Sequence, residues 1–315
     1  MSIPVIDLTD ALGVDASRRY IAAKQIRGAA ETSGFFYVSN HGVSPDLVRR
    51  QFEVAARFFQ LPAAVKRAVA VQTDQAKRGY EAIGSQRLDE NASADLKESY
   101  QFGVEYPADH PYVLKNYPLY GPNLWPADPA DFKSTCQSYF AAASRLATQL
   151  LELLALSLDL PETYFSAFNT NPSDTLRLLW YPPHPADAGA RTFGAGSHTD
   201  WGALTILAQD SIGGLEVQMP DGAWVPATPL EGTFVVNLGD MIPRWTNGRY
   251  RSNHHRVLNK NGQGRNRQSI VYFADLDVEA RIEPIEALKS ADSVAVFAPC
   301  TVGEHLDEMH RRTYG

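Results

Sequence analysis

Cysteine is scarce. Cys136 and Cys300 are the only two in 315 residues, and no CxxC occurs. That excludes a disulfide framework and a zinc ribbon. Basic clusters are missing too. The longest are pairs such as Arg49-Arg50 and Arg311-Arg312, in a chain whose formal net charge is −7. Phosphate binding needs a clustered basic surface, so no nucleic-acid partner is expected. No apolar run approaches the roughly 18 residues of a membrane span, so no membrane partner is expected either. The start, MSIPVIDLTDAL, lacks a basic stretch followed by an apolar one. No signal peptide is read there, and a cytoplasmic location is expected. Gly213-Gly214 has no GxGxxG or Walker pattern around it and reads as a turn, not a phosphate loop. There is no internal repeat and no low-complexity linker. With apolar residues at 44% and charged residues at 21%, the balance is that of a globular chain able to bury a sizeable core.

What is present falls into two grammars. Up to about residue 160 helices dominate. Asp15 caps a helix whose apolar face takes Ile21, Ile26, Ala29 and Ala30, and Gly34 ends it. Phe35–Gly42 reads as a strand running into a turn. Ser44 and Pro45 open a second helix carrying Leu47, Phe52, Ala55, Phe58 and Phe59. The clearest helix spans about 129–158: Asp128-Pro129 repeats the cap-plus-proline start, Phe132 to Leu154 keep a 3.6-residue period, and Cys136 falls on that stripe. From Leu176 onward short apolar or alternating runs appear, from LRLLWYP and ALTILAQ to QSIVYFA and VAVFAP. Gly, Pro, Asn and Asp punctuate them, and Asp221-Gly222 signals a hairpin. Many short strands between turns argue for a barrel or jelly roll. VGEHLDEMHRRTYG reads as a closing helix.

One strand-like stretch carries chemistry. His198 and Asp200 are two residues apart, and on a strand positions i and i+2 share a face. An imidazole and a carboxylate there can share a metal ion. Two histidines and one carboxylate with open positions suit a non-haem Fe(II) oxygenase. The third ligand must come from His254 or His255, which face opposite ways on a strand; period alone leaves both open. Arg267 and Ser269 are also spaced i, i+2, and a guanidinium beside a hydroxyl clamps a carboxylate.

The order HTD, HRV, RQS resembles the isopenicillin N synthase-like family of Fe(II)/2-oxoglutarate-dependent oxygenases. PVIDL, GFFYVSNHGV, DLKESYQFG, LLWYPP and NLGDMIPRWTNGRYRSNHHRV resemble its other segments, in the expected order over nearly the whole chain. The resemblance implies an α+β chain: a double-stranded β-helix (jelly-roll) core flanked by α-helices. Residues 1–125 would form the N-terminal region and 126–315 the long helix, oxygenase core and C-terminal helix, as one compact unit. It makes His198, Asp200 and His255 the iron ligands, selecting His255 because it precedes Arg-Val. It makes Arg267, Ser269 and Tyr181 the holders of 2-oxoglutarate. Many plant relatives have a contacting asparagine where this chain has Leu179. The cofactors implied are Fe(II), 2-oxoglutarate and O2, with decarboxylation to succinate coupled to oxidation of a small organic molecule, by hydroxylation. Two alternatives share the scaffold: an Fe(II) oxidase that does without 2-oxoglutarate, performing desaturation or ring closure, and a non-catalytic metal-dependent binding protein.

Trp201 is read as packing or as the lining of a pocket mouth, Trp245 and His41 as structural. Arg78, Arg87, Tyr100 and Gln101 lie in segments that could reach a substrate.

Overall fold

The computed structural model describes residues 2–72, 77–184, 192–258, 264–288 and 296–314. Its strands are β1 (Val5–Asp7), β2 (Phe35–Ser39), β3 (Gly79–Glu81), β4 (Glu98–Gly103), β5 (Thr175–Tyr181), β6 (Ala195–His198), β7 (Leu204–Gln209), β8 (Leu215–Gln218), β9 (Trp224–Pro226), β10 (Thr233–Leu238), β11 (His255–Val257), β12 (Arg267–Ala274), β13 (Arg281–Ile282) and β14 (Cys300–Thr301). The helices are α1 (Ala16–Thr32), α2 (Pro45–Phe59), α3 (Ala63–Arg67), α4 (Pro111–Leu114), α5 (Phe132–Ser157), α6 (Met241–Trp245) and α7 (Val302–Tyr314).

Eight strands form the larger sheet in the order β1-β2-β10-β7-β12-β5-β4-β3, and four form a smaller one, β6-β11-β8-β9. Every pairing is antiparallel except β1 with β2. The larger sheet is sandwiched. Alternate residues of β12 (Ile270, Tyr272, Ala274) and β10 (Phe234, Val236, Leu238) pack with α1, α2 and α5 in the main core. Their neighbours Val271 and Val235 face the smaller sheet and meet Ala195, Leu215, Val217 and Val257 in a second core. This is the expected jelly roll, and the period-2 alternation of each strand is what serves both cores at once. Strands from both halves of the chain share the larger sheet.

Local readings hold at several ends. The Asp15 carboxylate accepts from the Ser17 and Arg18 amides at 2.9 and 3.2 Å. Gly34, at φ +71°, turns the chain from α1 into β2, and a Cβ there would sit 2.1 Å from the Arg251 carbonyl oxygen. Asp221-Gly222 joins β8 to β9, with Gly222 at φ +85°.

Three expectations are corrected. Ile21 is half exposed, while Arg19, Ala22 and Ala23 are buried beside Ile26, Ala29 and Ala30. Five residues separate Ile21 from Ile26, about 140° around a helix, so the two cannot share a face. The long helix begins at Phe132, not at Asp128-Pro129. The Pro129 carbonyl accepts from Phe132 N in a preceding turn, and the Asp131 carboxylate pairs with Arg57 of α2 at 2.6 Å instead of capping. Of VAVFAP, Val294 and Ala295 lie outside the described residues. Val296–Pro299 form no strand; pairing starts only at Cys300.

Candidate metal and co-substrate site

His198 ends β6, and His255 opens β11 directly opposite it in the antiparallel register. Asp200 is not on the strand but two residues past its end. The premise of two ligands on one strand face is therefore corrected: the loop after β6, not the pleat, brings Asp200 in. The Asp240 amide donates to the Asp200 carbonyl at 2.8 Å and pins that loop. Nε2 of His198 and of His255 lie 3.8 and 3.6 Å from Asp200 Oδ1. One ligand-competent atom from each of the three falls within 4.8 Å of the others. Two imidazole nitrogens and a carboxylate oxygen so close together can share one metal ion.

The surroundings hold the three in metal-binding form. His198 Nδ1 lies 2.7 Å from the Gly196 carbonyl, and His255 Nδ1 lies 3.4 Å from that of Asn253, which leaves each Nε2 for the cavity. Burial first, then the neighbouring His255, pushes the His198 imidazole well below its ordinary value, so it is neutral. Burial opposes ionisation of Asp200, but the two histidines and the Asn237 amide outweigh it and lower its pKa. Asn237 Nδ2 donates to Asp200 Oδ2 at 2.7 Å. Sequence reasoning missed Asn237. The signal was there: one amide in the apolar strand TFVVNL, on the face that Val235 turns to the second core. His254, by contrast, is exposed, with Nδ1 3.3 Å from Ser197 Oγ.

A cavity of about 290 Å³ opens from the triad between the two sheets. Beyond its apolar wall of Leu179, Leu207, Leu215, Val257 and Val271 lies Arg267, fully buried. Its Nε donates to the Gly213 carbonyl at 2.7 Å and its Nη1 to Ser269 Oγ at 3.3 Å. Its guanidinium carbon stands 4.7 Å from the centre of the Tyr181 ring. Nη2 has no partner, and no carboxylate among the described residues pairs with Arg267. A buried cation with an unused donor fits an incoming carboxylate, because leaving it unpaired is costly. Arg267, Ser269 and Tyr181 thus meet at one place.

Trp201 is partly buried and lines the cavity. Its carbonyl lies 3.0 Å from His305 Nε2 of α7, and its ring meets His310 edge-on. Gln101 also lines the cavity; Tyr100 is buried in the helical core, Arg78 is fully buried, and Arg87 is exposed away from it. His41 stacks on Phe234, and Trp245 is core. The Gly213-Gly214 turn, at φ +78° and +95°, presents a carbonyl to Arg267 and no phosphate cradle.

The fold and this donor set define a non-haem Fe(II) oxygenase. Residues 3–128 match the non-haem dioxygenase N-terminal family model (described for morphine synthesis), and residues 168–275 match that of the 2OG-Fe(II) oxygenase superfamily. The chain is 36% identical to the 2-oxoglutarate-Fe(II) type oxidoreductase hxnY of Emericella nidulans, over 99% of this chain and 90% of that one. It is 36% identical to the 2-oxoglutarate-dependent dioxygenase citB of Monascus ruber, over 99% and 95%. Among solved structures, a full-length Neurospora crassa protein in complex with alpha-KG (2-oxoglutarate) and thymine superposes with TM-score 0.87 at 33% identity, covering 98% of this chain and 96% of its own. A Caulobacter crescentus protein described as a putative 2OG-Fe(II) oxygenase gives 0.86 at 28%, covering 99% of both. The chain belongs to the Fe(II)/2-oxoglutarate-dependent oxygenase family and is an oxidoreductase that uses iron and 2-oxoglutarate. No described helix is long and apolar enough to cross a membrane.

Proposed function

We propose that the enzyme hydroxylates a small organic molecule in this cavity. His198, Asp200 and His255 hold the iron, and Arg267, Ser269 and Tyr181 hold the distal carboxylate of 2-oxoglutarate. The observation that carries the reading is the convergence of the triad on one end of a cavity walled off, at the other, by a buried guanidinium with an unused donor. Bound iron, with 2-oxoglutarate and O2, supplies the oxidising power, releasing succinate and CO2. The chain's own part is to hold the His198 imidazole neutral and to favour ionised Asp200, to fix the co-substrate by its far end, and to keep water out with the apolar wall. The Neurospora relative is described with thymine bound, which supports a small-molecule substrate. A substrate screen read by mass spectrometry tests the reaction. Hydroxylation gives a gain of one oxygen; a loss of two hydrogens would replace it with desaturation or ring closure.

Asn237 gives a further check. Removing a hydrogen-bond partner from a metal-binding carboxylate typically costs 10- to 100-fold in metal affinity. Asn237→Ala should therefore weaken Fe(II) binding by roughly that factor in an equilibrium titration, with the far-ultraviolet circular dichroism unchanged. Wild-type iron affinity in Asn237→Ala would show that this hydrogen bond does not support the metal.

A further inference from the structure

On the β12 face that carries the clamp, Val271 and Phe273 line the cavity. Arg267, Ser269, Val271 and Phe273 alternate onto one face, and Asp275, just past the strand, continues the series. Eight extended residues span about 27 Å, so Asp275 lies far along the strand from Arg267. It is buried yet lines that cavity. Its carboxyl forms no hydrogen bond or ion pair with any described residue, whereas its backbone amide is held by Asp174 Oδ1 at 3.0 Å. Space is kept for it: a Cβ on Gly202 would fall 2.1 Å from Asp275 Oδ1. A buried carboxyl so placed and so unpartnered calls for an explanation.

We propose that Asp275 orients the substrate through a paired hydrogen bond to a cis-amide edge, the adjacent N–H and C=O of a lactam-type ring. This rests on the reading of the cavity as the substrate site. A neutral carboxyl offers one donor and one acceptor side by side, which is the complement of that edge. Burial first, then the carboxylates of Asp174 and Asp200, push the Asp275 carboxyl well above its ordinary range, against the opposing charge of Arg78. The cationic side chains that line the cavity favour a neutral ligand, because they are already engaged: Arg177 pairs with Glu81, Lys97 with Asp95 at 2.6 Å, and Lys77 is not free either.

The test is an anaerobic calorimetric titration of the protein loaded with Fe(II) and 2-oxoglutarate, using 2-piperidone, N-methyl-2-piperidone and piperidine as probes. 2-Piperidone should bind roughly 10- to 30-fold more tightly than its N-methyl analogue, which has lost the donor. Asp275→Asn should keep that preference, since an amide also presents a donor beside an acceptor. Asp275→Leu should erase it. No binding of 2-piperidone, or equal binding of the N-methyl analogue, overturns the proposal without recourse to any variant. So does tighter binding of the piperidinium cation, or an Asp275→Asn variant that behaves like Asp275→Leu; either result would make Asp275 a charged anchor. Succinate release by the wild-type protein with Fe(II), 2-oxoglutarate and O2 alone reads the oxygenase assignment separately, since no lactam takes part in it.

Discussion

His198→Ala, Asp200→Ala and His255→Ala are each expected to abolish iron-dependent turnover, whereas His254→Ala keeps most of it. Loss of a supporting hydrogen bond already costs 10- to 100-fold in metal affinity, so loss of a ligand should cost at least 100-fold. The three donor atoms sit within 4.8 Å of one another, and the described residues include no other cluster of this kind. No nearby side chain can take over. His254 precedes β11 and is exposed, and its imidazole lies 3.3 Å from Ser197 Oγ, away from the triad. The measurement is metal content after equilibration with Fe(II), followed by turnover. Activity that survives in His255→Ala and disappears in His254→Ala would reverse the assignment of the third ligand.

The second large effect belongs to Arg267. Arg267→Ala should raise the 2-oxoglutarate requirement by roughly 30- to several-thousand-fold, because removing one partner of a buried, hydrogen-bonded charge pair costs about 2–5 kcal/mol. The guanidinium is fully buried and anchored by the Gly213 carbonyl and Ser269 Oγ, so it needs no reorganisation to receive a carboxylate. Arg267→Lys should recover only part, since an ammonium keeps the charge but loses the fork. Ser269→Ala should cost less, as it removes one hydrogen bond. Iron binding should stay near wild type in all three variants, because Arg267 lies beyond the apolar wall from the triad. Direct titration of 2-oxoglutarate measures the effect. Unchanged affinity in Arg267→Ala would remove the clamp from the account.

Much of this was legible in the chain because it depends on short-range periodicity. The i, i+2 spacing of Arg267 and Ser269 survives in β12, since both positions lie inside one continuous strand. The same reasoning failed in detail at His198 and Asp200. The strand stops at His198, and the loop that carries Asp200 onward is set by a hydrogen bond to Asp240, forty residues away in sequence. The choice between His254 and His255 was likewise not in the local pattern; it depends on which of them pairs across from His198. Helix faces were legible where the apolar residues were spaced by three or four, as from Phe132 to Leu154. They were not where two isoleucines stood five apart. Asn237 and Asp275 escaped notice because each is a single polar residue at the end of an apolar strand. Their meaning appears only when the facing sheet and the loop after β6 are in place.

The coupling of succinate to substrate oxidation tests the central claim most directly. With Fe(II), O2, 2-oxoglutarate and a substrate found by the screen, the protein should release one succinate for each molecule oxidised. Omitting 2-oxoglutarate, or substituting Asp200→Ala, should stop both products together. Substrate oxidation that continues without 2-oxoglutarate and yields no succinate would contradict the account.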